Sequence, residues 1–437
     1  MTPAGGVRTA PARLPGLGHA AQLARDPLGF LRGLRDGGDL VRIFIGPRPV
    51  YVATGADLIH QVLVVQARSF DKGALFDELR VNLGNGLVTS AGDFHHQQRR
   101  RAQPAFHSTR ITHYAQQMTA HTAARAATWR AGHPIVLDQE IDRLVLDILL
   151  DVLFDGGPDA EVLAAVKSWL GVRHAAMKRA LSPVTAWRER LTVGRRHPPA
   201  GPELQALQDV LVRMIRRRRA GQPRGDLMSM LIEEMDDEAV GDELLTLFVA
   251  GTGTVSAALA WAFHELAGYP EVRHRLQDEV DRVLAGRPAE AGDVADLPYT
   301  TAVVHEVLRM HPVWLLMRRT ITPVELAGVR LPPGTEVMFS PHALHRDPGL
   351  YRDPDAFDPG RWLGGTPPRR GTFIPFGAGN RLCIGEGFAW TELVIVLATV
   401  TARWRMEPVP GSRLRTRIGT VERPVELMMT PIVRGRA

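Results

Sequence analysis

Phe376-Gly377-Ala378-Gly379-Asn380-Arg381-Leu382-Cys383-Ile384-Gly385 contains the only cysteine of the chain. One thiol in 437 residues cannot close an internal disulfide, a four-cysteine zinc site or an iron–sulfur cluster. It can give one thiolate to one metal. Gly377, Gly379 and Gly385 allow the backbone to fold tightly around the sulfur. Phe388, Leu393, Val396, Leu397 and Val400 then recur at helical spacing, which predicts a helix with Cys383 at its N-terminus. Free amides and the positive dipole end there are expected to lower the thiol pKa.

At every defining position this string resembles the haem-binding loop of the cytochrome P450 family. The resemblance implies that Cys383 is the proximal thiolate of a haem b (iron protoporphyrin IX) group. It places Phe376 beneath the ring, Gly377 in the turn and Arg381 against a propionate. Glu306-Val307-Leu308-Arg309 sets an acid and a base three apart on one helical face. Alone, such a pair is a surface contact worth under about 1 kcal/mol. Beside the cysteine loop it resembles the family's glutamate–arginine pair, with Arg361 as the third member of a buried charge network. Gly92-Asp93-Phe94-His95-His96-Gln97-Gln98-Arg99 is similar to the family's propionate-binding helix, which implies that His95 and Arg99 grip a carboxylate. Arg318, with Arg319 adjoining it, matches a further propionate contact.

Ala250-Gly251-Thr252-Gly253-Thr254-Val255-Ser256 departs from the pattern. Two glycines inside a helix cost about 1 kcal/mol each relative to alanine, and Gly251 and Gly253 read as a local kink that opens a groove for dioxygen. The family resemblance makes Thr254 the hydroxyl that relays protons. Gly253, however, occupies the place of an acid. Thr254 is therefore expected to carry the relay with water, assisted by Thr252 or Ser256.

The remaining sequence predicts a mainly α protein with a small β portion; the resemblance implies a triangular helical prism enclosing haem. Helical periodicity covers 137–154, 203–217, 242–266, 272–284 and 300–310. Strand-like runs cover 40–45, 50–52, 324–331 and 336–339. Residues 1–13 read as a flexible tail, and 14–437 as one haem-binding domain. No run is apolar enough to span a bilayer, and with no export signal and a single cysteine the chain is expected to be cytoplasmic; it is also expected to be a monomer.

The formal net charge of +6 comes from arginines scattered over many helices, without the aromatic-studded motifs of nucleic-acid readers. The run Arg216 to Arg219 reads as a solvated helix C-terminus. Glu233-Glu234-Met235-Asp236-Asp237-Glu238 reads as a helix end rather than the magnesium motif of a haem-independent terpene cyclase. His305, His311, His342 and His345 lack zinc-site spacing. No nucleotide-binding glycine fingerprint is present, so electrons are expected from a separate ferredoxin with its reductase, or a flavodoxin.

The pocket is expected around Phe248, Val249, Leu316 and Met317, all apolar, which favours a hydrocarbon-like substrate. The reading is a haem-thiolate monooxygenase that hydroxylates or epoxidises such a molecule with dioxygen. Its later motifs resemble bacterial members that oxidise terpenes. A haem-binding sensor or carrier without turnover, and a peroxide-driven oxygenase, are the alternatives that Gly253 leaves open.

Overall fold

A computed structural model describes residues 7–181, 201–222, 224–364 and 369–435. The helix Asp237–Gly268 runs through the α portion. Its first turn is capped by Asp236, whose carboxylate accepts from the Ala239 N–H at 2.8 Å. The acidic run at 233–238 is thus a helix start. This central helix packs against the helices Leu137–Phe154, Pro202–Arg219, Pro298–Met310 and Glu386–Arg403. It is long and apolar enough to cross a membrane, contrary to the sequence expectation, but 67% of its apolar stretch is buried in the protein. Its hydrophobicity is that of a core helix surrounded by others.

The β portion is dominated by a six-stranded sheet, in the order Arg8–Thr9, Leu40–Ile45, Arg48–Ala53, Glu336–Phe339, Leu316–Thr320 and Phe70–Asp71. Three expectations change here. The ordered chain begins before residue 14, because Arg8–Thr9 pairs in parallel with Val41 and Arg42 and the Thr9 hydroxyl accepts from the Arg42 guanidinium at 2.9 Å. The turn near Gly46 is tighter than expected: Arg48 and Pro49 already belong to the second strand, opposite Ile45 and Phe44. The run 324–331 is a hairpin of Val324–Leu326 and Val329–Leu331, turned by Ala327 and Gly328 at φ +49° and +75°. Two consecutive positive φ values match the right-handed strand twist, but alanine gives no sequence signal for them.

The arginine run ends the helix Pro202–Arg219 as expected, yet it is not simply solvated. Arg218 pairs with the buried Asp226, while Arg219 donates to the Ile232 and Met235 carbonyls at 2.9 and 2.7 Å.

Behind the cysteine loop, the helix Glu386–Arg403 buries Glu392, neither of whose carboxyl oxygens has a hydrogen-bond partner among the described residues. Burial pushes its pKa up to about 8. The folded chain therefore holds a proton that the unfolded chain releases near its ordinary value of 4.5. Between those values stability falls as pH rises, by about 1.4 kcal/mol per pH unit for this group. Glu392→Gln removes the ionisation and is expected to raise the melting temperature more at about pH 8 than at about pH 5. An equal change at both pH values contradicts the assignment.

Candidate functional site

Cys383 is presented by a loop tied at both ends. Gly377 and Gly379 sit at φ +75° and +69°, where glycine is favoured. A Cβ at Gly379 would collide with the Leu63 carbonyl, which belongs to the π-helical turn Gln61–Val65. The Cys383 N–H donates to the Phe376 carbonyl at 3.0 Å, and the Gly385 N–H donates to the sulfur. The Phe376 ring lies 5.7 Å from that of Trp390. Cys383 is accessible although protein surrounds most of it.

Burial pushes the Cys383 thiol up, opposed by the Gly385 N–H, Arg99 and Lys72. The expected lowering does not occur in the polypeptide alone. The helix begins at Glu386, beyond the sulfur, and the one amide that reaches it does not offset desolvation. A metal cation at the sulfur favours the thiolate outright.

Around this loop the structure gathers His95, Arg99, Arg318 and Arg381, as the sequence implies, and adds Lys72. Arg381 donates to Asp71 at 2.7 Å and to the Ser90 carbonyl at 2.8 Å. Arg99 donates to the Leu382 carbonyl at 2.6 Å, bracing the residue before the cysteine. Arg318 is buried and among the described residues donates only to the Met317 carbonyl. Burial, reinforced by Arg381, lowers its pKa to about 10. Its neighbour Arg319 is instead satisfied by Glu336 at 2.7 Å and Asp77 at 2.9 Å. The strand register separates the two arginines onto opposite faces.

His95 meets the Ser90 hydroxyl at 3.2 Å through Nδ1, while its buried Nε2 has no partner among the described residues. Burial first, then Arg381 and Lys72, lower its pKa to about 3, so it is neutral at ordinary pH. Lys72 has its ammonium 4.3 Å from the Phe76 ring centroid. Burial lowers its pKa well below the usual value, with Arg318 and Arg381 adding to the effect. Asp71 is the acid that faces this group. Cations taken out of water at this density require counter-anions. The carboxylates of a haem, with a thiolate below and the Phe376 ring beside it, meet that requirement; the residues fit the group.

The charge network is complete. Glu306 and Arg309 are both fully buried. All five Arg309 N–H groups are used: Nε and Nη2 donate to Glu306 at 2.9 and 2.8 Å, and the rest reach the His345, Pro354 and Ala356 carbonyls. Glu306 also accepts from Arg361 at 3.0 Å, from the Asp358 N–H at 3.0 Å and from the Trp362 indole at 2.8 Å. Trp362 was missed in the sequence, which offered no signal for a contact 56 residues away.

The central helix stays helical through Gly251 and Gly253, where the sequence predicts a local kink. Thr254 donates its hydroxyl to the Ala250 carbonyl at 2.9 Å. Ala250 is exposed in the middle of this otherwise mostly buried helix. Thr252 is buried and donates to the Phe248 carbonyl at 2.7 Å. It lies more than a third of a turn from the Thr254 face, which removes it as a relay partner. Ser256 is buried on the same side as Thr252, its hydroxyl without a partner among the described residues. Gly251 faces Leu149.

The pocket residues are partly reassigned. Phe248 is fully buried, with its ring 6.3 Å from Phe154, so it is core. Leu247 is half-buried and shares the face of Ala250 and Thr254. Val249 is half-buried against the core. Met317 packs with Trp314 and Met338, on the strand face opposite Leu316 and Arg318.

Residues 9–431 match the sequence profile of the family described as Cytochrome P450. The chain is 39% identical to the cyclooctat-9-en-7-ol 5-monooxygenase of Streptomyces melanosporofaciens, over 93% of this chain and 91% of that protein. It is 36% identical to the pentalenene oxygenase of Streptomyces avermitilis, over 96% of each. The crystal structure of the cytochrome P450DA heme domain superposes with a TM-score of 0.85, over 99% of this chain and 98% of that one. At 23% identity, that likeness bears on the fold.

Glu306→Ala strands the Arg309 and Arg361 charges and is expected to cost about 3–5 kcal/mol in denaturant unfolding. Lys72→Met is expected to speed transfer of haem to an apo-globin acceptor several-fold, with Arg319→Met near wild type. Equal transfer rates for wild type and Lys72→Met contradict the counter-charge role.

Proposed function

The chain belongs to the cytochrome P450 family, whose members carry a haem-thiolate group, and on that premise we propose that it oxidises a terpene or terpenoid in bacterial secondary metabolism. The single observation that carries the substrate class is the likeness, over nearly the whole chain, to oxygenases named for cyclooctat-9-en-7-ol and pentalenene. The half-buried apolar side chains of Leu247, Val249 and Leu316 support it, since such a lining favours a hydrocarbon skeleton. Hydroxylation is the principal reaction, and epoxidation follows from the same chemistry where the skeleton presents an alkene.

When bound, haem b supplies activation of dioxygen, and the donation of its thiolate ligand favours O–O cleavage. Cys383 supplies that thiolate, oriented by the Phe376 carbonyl and the Gly385 amide. Arg99, Arg318, Arg381, Lys72 and His95 hold the carboxylates, with Phe376 against the ring and Gly377 allowing the turn. Glu306, Arg309 and Arg361 keep the loop in place. Thr254 holds its hydroxyl proton at Oγ1, donated to the Ala250 carbonyl, on the helix face it shares with Leu247 and Ala250. Electrons come from a separate redox protein, a ferredoxin with its reductase or a flavodoxin. The protein acts as a cytoplasmic monomer.

Gly253 in the place of the family's acid favours examining a second reading, in which the chain binds a terpenoid without turnover or uses peroxide directly. The test titrates terpene hydrocarbons and alcohols into the ferric holoprotein and follows the Soret shift. Turnover with NADPH, ferredoxin and reductase follows, then with hydrogen peroxide alone. An oxygenated product that depends on the redox partners is the expected result. Binding without product under either condition identifies a carrier, and product only with peroxide identifies a peroxygenase. Thr254→Ala is expected to raise the share of electrons lost as hydrogen peroxide; unchanged coupling removes the hydroxyl from the relay.

A further inference from the structure

The segment 84–90 crosses from the central helix to the residues that hold the carboxylates. At one end it lies directly on the helix. A Cβ at Gly84 would meet the Asp242 carboxylate, and one at Gly86 would meet the Thr246 hydroxyl and the Asp242 carbonyl, so only glycines permit this approach. Two acids of the helix catch its amides: Asp242 accepts from the Asn85 N–H at 2.6 Å and Glu243 from the Leu87 N–H at 3.1 Å. At the other end the Ser90 carbonyl accepts from Arg381 at 2.8 Å, and the Ser90 hydroxyl meets His95. The Thr89 hydroxyl donates back to the Gly84 carbonyl at 2.6 Å, closing the segment into a compact strap. Glu243, Leu247, Ala250 and Thr254 fall at i, i+4, i+7 and i+11, on one stripe of the helix. The strap therefore sits on the Glu243 end of the stripe that carries Thr254.

Glu243 is buried, and its Oε1 has no partner among the described residues. The charged group that acts on it is Asp242, another acid. Charged groups on the elements packed against this end of the helix are turned elsewhere. Arg80 donates to the Thr89 carbonyl, Arg218 and Asp226 pair with each other, and Asp151 meets His121. A buried carboxylate with one amide and no cation is costly, so the docked group keeps its proton. Burial pushes its pKa up to about 7, with Asp242 adding to the rise and the Leu87 N–H opposing it. Lifting the strap exposes the carboxyl to water, where it returns to its ordinary 4.5. The docked state thus holds a proton that the lifted state releases. Docking is strongest below the lower value and weakens about tenfold per pH unit up to the higher one, with no further loss above it.

We propose that Glu243 is a positioning residue whose protonated carboxyl clamps the strap 84–90 onto the central helix, and that terpenoid entry is gated by loss of that proton to solvent. The inference rests on the terpenoid reading above and adds a control of access to the same site. Glu243 acts through the Leu87 amide and does not touch the reacting atoms. Asp242 holds the neighbouring amide and, as an anion, sets how readily Glu243 gives up its proton. Because the strap ends at Arg381 and His95, lifting its Glu243 end opens the pocket side while the haem-holding end stays tied.

The experiment uses the ferric holoprotein as wild type, Glu243→Gln and Asp242→Asn, between about pH 5 and about pH 8. Hydrogen–deuterium exchange of the Leu87 amide, corrected for intrinsic rate, is measured without ligand. Stopped-flow Soret shifts give the entry rate of the terpene that binds best in the titration above. In wild type, Leu87 protection is expected to fall and the entry rate to rise, each about tenfold per unit up to about pH 7 and level beyond. Glu243→Gln, neutral at every pH, is expected to hold both at the wild-type values of about pH 5. Asp242→Asn is expected to keep the dependence with its midpoint moved to lower pH. Flat wild-type profiles, or profiles that Glu243→Gln leaves unchanged, overturn the clamp. A dependence lost in Asp242→Asn but kept in Glu243→Gln overturns it also, by assigning the proton to Asp242. If no terpene shifts the Soret band, the substrate reading fails, and the exchange of Leu87 still decides the clamp.

Discussion

The fully buried carboxylate of Glu306 is the contact on which the site depends. It accepts from two arginines, an indole and a backbone amide. Its partner Arg309 spends its remaining N–H groups on the carbonyls of the 345–356 segment. One helix thereby fixes, through charge-assisted bonds, a long stretch of irregular chain that has no ladder of its own. The His345 ring extends the hold, its Nε2 accepting from the Ile374 N–H at 2.9 Å, two residues before Phe376. The chain entering the cysteine loop is thus positioned by a saturated polar network. Removing one member leaves the others charged, buried and unpaired.

A second constraint works in the opposite sense. The network around Glu306 is satisfied internally, whereas the basic residues around Arg318 and Lys72 are not: Asp71 is the acid that meets them. Internal satisfaction specifies structure, and a surplus of one charge specifies a ligand. The two arrangements lie on either side of one loop. That division explains why Arg319, with two carboxylates, belongs to the sheet while Arg318, one residue earlier, belongs to the site.

The parts legible in the sequence were those carried by resemblance to the cytochrome P450 family. The lone Cys383 among glycines pointed to a thiolate ligand by itself, but the Glu306 and Arg309 pair and the His95 and Arg99 turn took their roles from that likeness, since spacing alone would leave the ion pair at the surface. Lys72 was not legible because it acquires its role from the pairing of Phe70–Asp71 with Leu316–Thr320. Phe248 and Met317 were assigned to the pocket but lie on the neighbouring face, since a shift of one position rotates a helical side chain by about 100° and inverts a strand side chain. Thr252 failed as a relay partner for the same reason. The strands Trp404–Pro408 and Met428–Val433 mix arginine, proline and apolar residues, which obscures their alternation.

On the proposed reading, Gly253 stands in the place of the family's acid and bears on proton supply. The whole account rests on sulfur ligating iron, and Cys383→Ser tests that bond most directly. After dithionite and carbon monoxide, the wild-type holoprotein is expected to show the red-shifted Soret band of a thiolate-bound haem, and the serine variant to lack it. A serine variant that keeps the same band contradicts the account.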